Sequence, residues 1–169
     1  MRLRVDWEVT QITYDFAGGG QCGVDKEVRT KEQDDHNLGY LLAVALLDGD
    51  VMPAQFTPER MNRSDVQALM KKVSVRPNHE YTDEYPRRMP AKITVHLQNG
   101  KTFEHEIKDY PGLPSHPFSW EDSVEKFDRL VTGRIDGHLS QDIKDAVRSL
   151  ESIQVKDLTK LLNQVQVSQ

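Results

Sequence analysis

Two side chains in this sequence are of the types that could hold a carboxylate and move the proton beside it: Lys31 and His36, within TKEQDDHNLGYLLAVALLDG, residues 30–49. An ammonium holds an anion, and an imidazole exchanges protons near neutral pH. The surrounding residues place both at the start of a helix. Thr30 followed three residues later by Gln33 fits a capping box, and Asp48 with Gly49 supplies the stop. An open helix N-terminus adds unpaired N–H groups, and dipole, donors and charge then all favour an anion. From Leu38 to Leu47 nine of ten residues are apolar. A helix so composed cannot keep a wet face and is expected at the buried centre of the domain.

The plain readings of these and other residues stand beside the chemical ones. By residue type alone His36 is an ordinary hydrogen-bonded helix residue and Lys31 a solvated first-turn lysine, although a cation at a helix N-terminus argues for an anion nearby. Arg87 and Arg88 form either a carboxylate clamp or a surface pair. Gly18, Gly19 and Gly20 either approach a ligand closely or simply end a strand. Cys22 reads as an ordinary thiol. His79, His96, His105, His116 and His138 are scattered, and no metal site is expected because none is grouped with carboxylates at ligand spacing.

The elements that must carry the site follow from periodicity. Residues 2–9 alternate, with Leu3, Val5, Trp7 and Val9 on one side of a half-buried strand. The alternation resumes at Ile12, Tyr14 and Phe16 with shifted parity, which requires a bulge near Thr10 and Gln11. Thr57-Pro58 opens a short helix, Ser64 with Gln67 forms a second capping box, and Val73 to Val75 is a strand that Pro77 halts. Residues 78–90 read as a loop. Around Asn99-Gly100 a two-residue turn would put Leu97 on the face of Thr102 and Glu104. A three-residue loop of Gln98, Asn99 and Gly100 instead pairs Val95 with Phe103 and Ala91 with Ile107, and is the register expected. Residues 109–118, with three prolines, are irregular. Ser119, with Asp122 three residues on, caps a helix striped by Val124, Phe127, Leu130 and Val131; two more amphipathic helices follow, from Ser140 and around residues 158–162.

Composition narrows the function classes. The chain has 169 residues, 37% of them hydrophobic, enough for one ordinary core with an appendage. A formal charge of −5 supplies no basic stripe for a nucleic acid. One cysteine excludes an internal disulfide framework, and the longest apolar run is too short to span a membrane, so a cytoplasmic protein is expected. Strands and helices in this order predict an α+β fold: an antiparallel sheet with helices packed on one face in two layers, over residues 1–118, followed by C-terminal helices in 119–169. The sequence contains none of GxxxxGK[ST], GxSxG or HExxH.

Three segments, in order, resemble one family. KEQDDHNLGYLLAVALLDG is similar to the ADHSLPY-type helix of the 2-methylcitrate dehydratase (MmgE/PrpD) family, AKITVHLQNGKTFEHEI to its hairpin, and YPGLPSHPFSWEDSVEKFDRL to its YP-G-x-P-x-x-P-x-SW block. Members include 2-methylcitrate dehydratase, cis-aconitate decarboxylase and iminodisuccinate epimerase. The resemblance covers the family's second part, and its large N-terminal helical domain has no counterpart here. It implies cofactor-independent lyase or isomerase chemistry on small polycarboxylates, with His36 as the catalytic residue and Lys31 and Thr30 as substrate-binding residues. It further implies a tricarboxylate substrate and a helical domain or separately encoded helical subunit as partner, without which the chain is inactive. An apolar surface left by that partner makes a homodimer the expected assembly. Asp34, Asn37 and Gly39 replace the family's usual alanine, serine and proline beside His36. The alternative is a non-catalytic module that keeps the fold and binds a carboxylate or another protein.

Overall fold

The computed structural model describes residues 3–16 and 36–165. The chain divides into two compact units, one ending at Pro117 and one beginning at Phe118.

The first unit is built on a four-stranded sheet. Strand β1 (Leu3–Val9), β2 (Val73–Pro77), β3 (Ala91–Leu97) and β4 (Thr102–Ile107) lie in the order β2-β1-β3-β4. The sheet is mostly antiparallel, as its hairpin requires, but β1 and β2 run parallel, with Val5 opposite Val73 and Val9 opposite Pro77. The mixed sheet follows from what lies between those strands: a helical crossover returns β2 in the direction of β1, where a tight turn would have reversed it. The hairpin register is the one the hydrophobic pattern demands. Val95 faces Phe103, Ala91 faces Ile107, and Gly100 takes φ 81°. Leu97 N–H bonds Lys101 O at 2.9 Å, closing a three-residue loop.

Alternation in β1 sorts the two faces. Leu3, Val5 and Trp7 join Val73, Ile93 and Val95 against the helices that close the main core. Those helices are α2 (Leu38–Asp48), α3 (Pro58–Met61) and α4 (Ser64–Met70), with a short 3₁₀ turn at Pro53–Phe56. Tyr40, Ala43, Val44 and Val66 of this layer are fully buried. The opposite face carries charge. Arg76, Glu8, Lys92 and Glu106 face one another in one row across all four strands, alternating in sign.

Several local expectations are corrected. Residues 11–16 form helix α1 (Gln11–Phe16), with no bulged strand, because the buried Thr10 redirects the chain: its Oγ1 accepts the Thr13 N–H at 3.2 Å and its carbonyl the Tyr14 N–H at 3.1 Å. The loop expected at 78–90 contains α5 (His79–Glu84), started by Asn78, whose Oδ1 accepts from Glu80 and Tyr81 N–H. Ser64 and Gln67 make no capping box. The cap position belongs to Arg63, and the Gln67 amide donates to the Met61 carbonyl.

The second unit comprises α6 (Trp120–Val131), α7 (Gly137–Arg148) and α8 (Val155–Leu162). Ser119 and Asp122 form the expected reciprocal box on α6. Helix α7 starts earlier than Ser140, because the Asp136 carboxylate accepts the His138 and Leu139 N–H groups. Among the described residues no helix is long and apolar enough to cross a membrane.

Candidate functional site

The candidate site lies at the N-terminus of α2, and the sequence there dictates a different start from the one the capping-box pattern suggests. The helix begins at Leu38, capped by Asn37 at φ −87°, ψ 102°. Asparagine competes so well for the first free N–H groups that it ends the non-helical backbone wherever it meets a strong apolar run. Its Oδ1 accepts the Tyr40 N–H at 2.8 Å, and the residue is only 1% exposed. The N–H groups of Leu38 and Gly39 have no partner within the helix. His36 therefore stands in a turn just outside the helix and not in its first turn, and it is exposed. Thr30, Lys31 and Gln33, like Cys22 and the three glycines at 18–20, lie outside the described residues.

Three elements converge on this opening. Leu38 packs with Val9 and Val75, and Trp7, Tyr14, Val73 and Ala91 surround that cluster. The end of β1, the end of β2 and α1 thus meet where α2 begins. Tyr14 enters this neighbourhood only because residues 11–16 are helical. A strand reading places it on a sheet face and gives no sign of it. Trp7 Nε1 is buried here without a hydrogen-bond partner among the described residues.

The far end of α2 is what fixes the helix in place. Gly49 closes it at φ 73°, donating its N–H to Ala45 O. Asp48 accepts two bonds from Arg60, at 2.8 Å from Nε and 2.5 Å from Nη2, while Arg60 Nη1 donates to Asp65 at 3.1 Å. Arg60, 9% exposed, is the bolt between α2, α3 and α4. Its hydrogen bonds hold the Asp48 carboxyl below its usual range. Tyr40 adds a second tie, its hydroxyl donating to the Gln55 carbonyl and its ring standing 5.9 Å from Phe56. Only the first two turns of α2 are buried. Leu46 and Leu47 are 44% and 40% exposed, so the helix is central at its N-terminal end and not throughout.

Arg87 and Arg88 border a shallow hollow with Glu84, and Arg88 lies 3.6 Å from that carboxylate. That contact is an i,i+4 pair on the surface, and among the described residues only these three side chains line the hollow. Among the described residues no three His, Cys, Asp or Glu side chains are grouped so as to hold a metal ion.

A mixed sheet covered by a capped, largely apolar helix, with His36 just outside that helix's mouth, makes this unit an α+β domain. The chain belongs to the MmgE/PrpD family: its C-terminal domain model matches residues 3–152. The chain is similar to cis-aconitate decarboxylase of Mus musculus, with 27% identity over 131 residues, and to the cis-aconitate decarboxylase-like protein oryM of Aspergillus oryzae, with 29% over 128. It is also 27% identical over 135 residues to the alkylcitrate dehydratase phiI of a fungal species. Each match covers 75% of this chain but only 26–27% of the relative, so the chain spans about a quarter of the length of these curated relatives.

Proposed function

We propose that this domain supplies one wall of the active site of a lyase or isomerase that acts on small polycarboxylates, in a dehydration, decarboxylation or epimerisation. The observation that carries this reading is the match to the MmgE/PrpD C-terminal domain over residues 3–152, with relatives named for cis-aconitate and alkylcitrate chemistry. The geometry at α2 supports it. His36 is exposed immediately before the Asn37 cap, and the neighbouring N–H groups of Leu38 and Gly39 can receive a carboxylate oxygen. In this reading His36 moves the proton on the carbon beside that carboxylate, while Lys31 and Thr30 bind the substrate. The second wall comes from a helical domain or subunit. Its docking accounts for Phe103 and Ile107, apolar-face residues of the β4 edge that are 58% and 37% exposed.

The test assays this chain against cis-aconitate, citrate and 2-methylcitrate, alone and with the helical domain of a family member supplied separately. Turnover is expected only in the mixture, and His36→Ala in that mixture should lower kcat about 10²-fold or more. Full activity of His36→Ala would remove the site assignment. Binding of a tricarboxylate without turnover in any combination would favour the non-catalytic alternative.

A further inference from the structure

One sequence motif takes no part in the core or in the mouth of α2: Asn99-Gly100, at the tip of the hairpin that joins β3 to β4. It sets a side-chain amide beside the least hindered kind of backbone nitrogen. The chain has five asparagines, and the other four, Asn37, Asn62, Asn78 and Asn163, precede Leu38, Arg63, His79 and Gln164. A side chain on the following residue shields its nitrogen, and only glycine leaves it bare.

The structure sets Asn99 further apart. Asn37 is 1% exposed, Asn78 donates Nδ2 to Glu8 at 2.7 Å, and Asn62 donates Nδ2 to the Pro58 carbonyl at 2.7 Å. Asn99 is exposed, and among the described residues its Nδ2 has no acceptor. Its Oδ1 accepts the Lys101 N–H at 3.1 Å. A donor on that oxygen withdraws electron density from Cγ and stabilises the negative charge that an attacking nitrogen puts there. Gly100 sits at φ 81°, and apart from its chain neighbours no described residue comes within 4 Å of the place a Cβ would take.

We propose that Asn99 is a deamidation site, reacting through a succinimide formed with Gly100. The Gly100 nitrogen bonds to Asn99 Cγ and gives up its proton, the Cγ–Nδ2 bond breaks, and the amide leaves as ammonia. Water then opens the ring. Attack at Cγ restores the main chain and leaves aspartate, whereas attack at the backbone carbonyl carbon leaves isoaspartate, with the main chain running through Cβ and Cγ. Either route exchanges one NH2 for one OH, with no oxidation or reduction. The Gly100 N–H must first release the Leu97 carbonyl, 3.1 Å away, and that opening needs only the tip of a hairpin whose second strand is the sheet edge. The two products differ in their effect. Aspartate keeps an oxygen for the Lys101 N–H. Isoaspartate adds a carbon to the three-residue loop whose length sets Val95 against Phe103, so it opens the tip. The proposal does not depend on the catalytic reading.

Peptide mass mapping of the whole chain, aged in mildly alkaline buffer at physiological temperature, tests it. The peptide carrying Asn99 should gain the mass of an amide-to-acid exchange before those of the other four asparagines do. Isoaspartate should accumulate with it, read as methyl transfer from S-adenosylmethionine by an isoaspartyl methyltransferase. Separated by ion exchange, the isoaspartyl form should lose amide protection at Leu97 and Gly100, while Asn99→Asp keeps it. Arg60→Ala, verified as folded by circular dichroism, should modify Asn99 at the parent's rate, because the reaction needs the loop to open and not the helices to detach. Asn99 outlasting any other asparagine, or acid formed without isoaspartate, overturns the proposal. So does a rate that rises in Arg60→Ala in step with its lost stability, or an isoaspartyl form whose hairpin stays protected.

Discussion

Asn37 and Gly39 occupy one space at the mouth of α2. Asn37 Oδ1 lies 3.1 Å from where a Cβ on residue 39 would stand, and among the described residues no other heavy atom outside their own turn comes within 4 Å of that point. The oxygen cannot retreat cheaply, because it holds the Tyr40 N–H at 2.8 Å and is walled in at 1% exposure. Two of the departures from the family's usual helix are therefore one structural unit.

Gly39→Ala should consequently lower stability by about 1 kcal/mol, since the lost cap outweighs the helix propensity gained. Asn37→Ser shortens the side chain, keeps a capping oxygen and opens the space. In that background Gly39→Ala should be neutral or stabilising. Urea denaturation of the four proteins gives the coupling, expected near 1 kcal/mol. Strictly additive effects would show that the two positions do not compete.

Arg60 is the residue whose loss should loosen α2 most. Arg60→Ala removes two bonds from Asp48 and one from Asp65, leaving Asp48 to Gln55 and Asp65 to Arg63, and should cost about 1.5–3 kcal/mol, read as a lower urea midpoint. The pH dependence has a definite sign. Asp48 is held below its usual value of 3.8 in the folded chain, so its contribution is complete above that value and is lost as pH falls through it toward the lowered one. Arg60→Ala should remove that part of the acid sensitivity, which stability curves between neutral pH and pH 3 will show.

Tyr81 sets the opposite limit. It is 8% exposed, and burial, then the nearby Glu106 carboxylate with its hydrogen bond, push the phenol from 10.0 to about 12. A raised phenol stabilises the fold fully below pH 10 and loses that contribution as pH climbs from 10 to about 12. Tyr81→Phe should be less stable at neutral pH and lose less in that alkaline window. Ultraviolet titration at the tyrosinate band should show one fewer late-titrating phenol in the variant than in the parent.

Gly100 tests the hairpin register. At φ 81° an alanine is strained by about 1–2 kcal/mol, and that cost should appear in full because none of the described residues crowds the position. A stabilising Gly100→Ala, or amide exchange inconsistent with Val95 facing Phe103, would contradict the three-residue loop.

Much of this architecture was legible one residue at a time. The alternation in β1, the pairing of Val95 with Phe103, the Ser119–Asp122 box and the Thr57–Pro58 helix start all depend on contacts within a few residues or on a face pattern that a one-residue slip would invert. Where the reading failed, two local signals competed. The capping-box pattern carries the apolar helix back to Thr30, but α2 starts at Leu38 under the Asn37 cap, and Thr30 and Gln33 lie outside the described residues. Ile12, Tyr14 and Phe16 alternate like a strand, but Thr10, fully buried, turns the chain into α1.

The amino-acid order by itself determined which segments bury an apolar face, the helix caps at Thr57 and Ser119, and the family to which the chain is related, because these are short-range properties written in neighbouring side chains. Tertiary structure alone decided that β2 runs parallel to β1, that Arg60 bolts three helices together, that Tyr14 and Trp7 meet the mouth of α2, and that Arg76, Glu8, Lys92 and Glu106 fall in one row. Each of those joins residues far apart in the chain, and strand order and register, which no local spacing encodes, choose which distant side chains become neighbours.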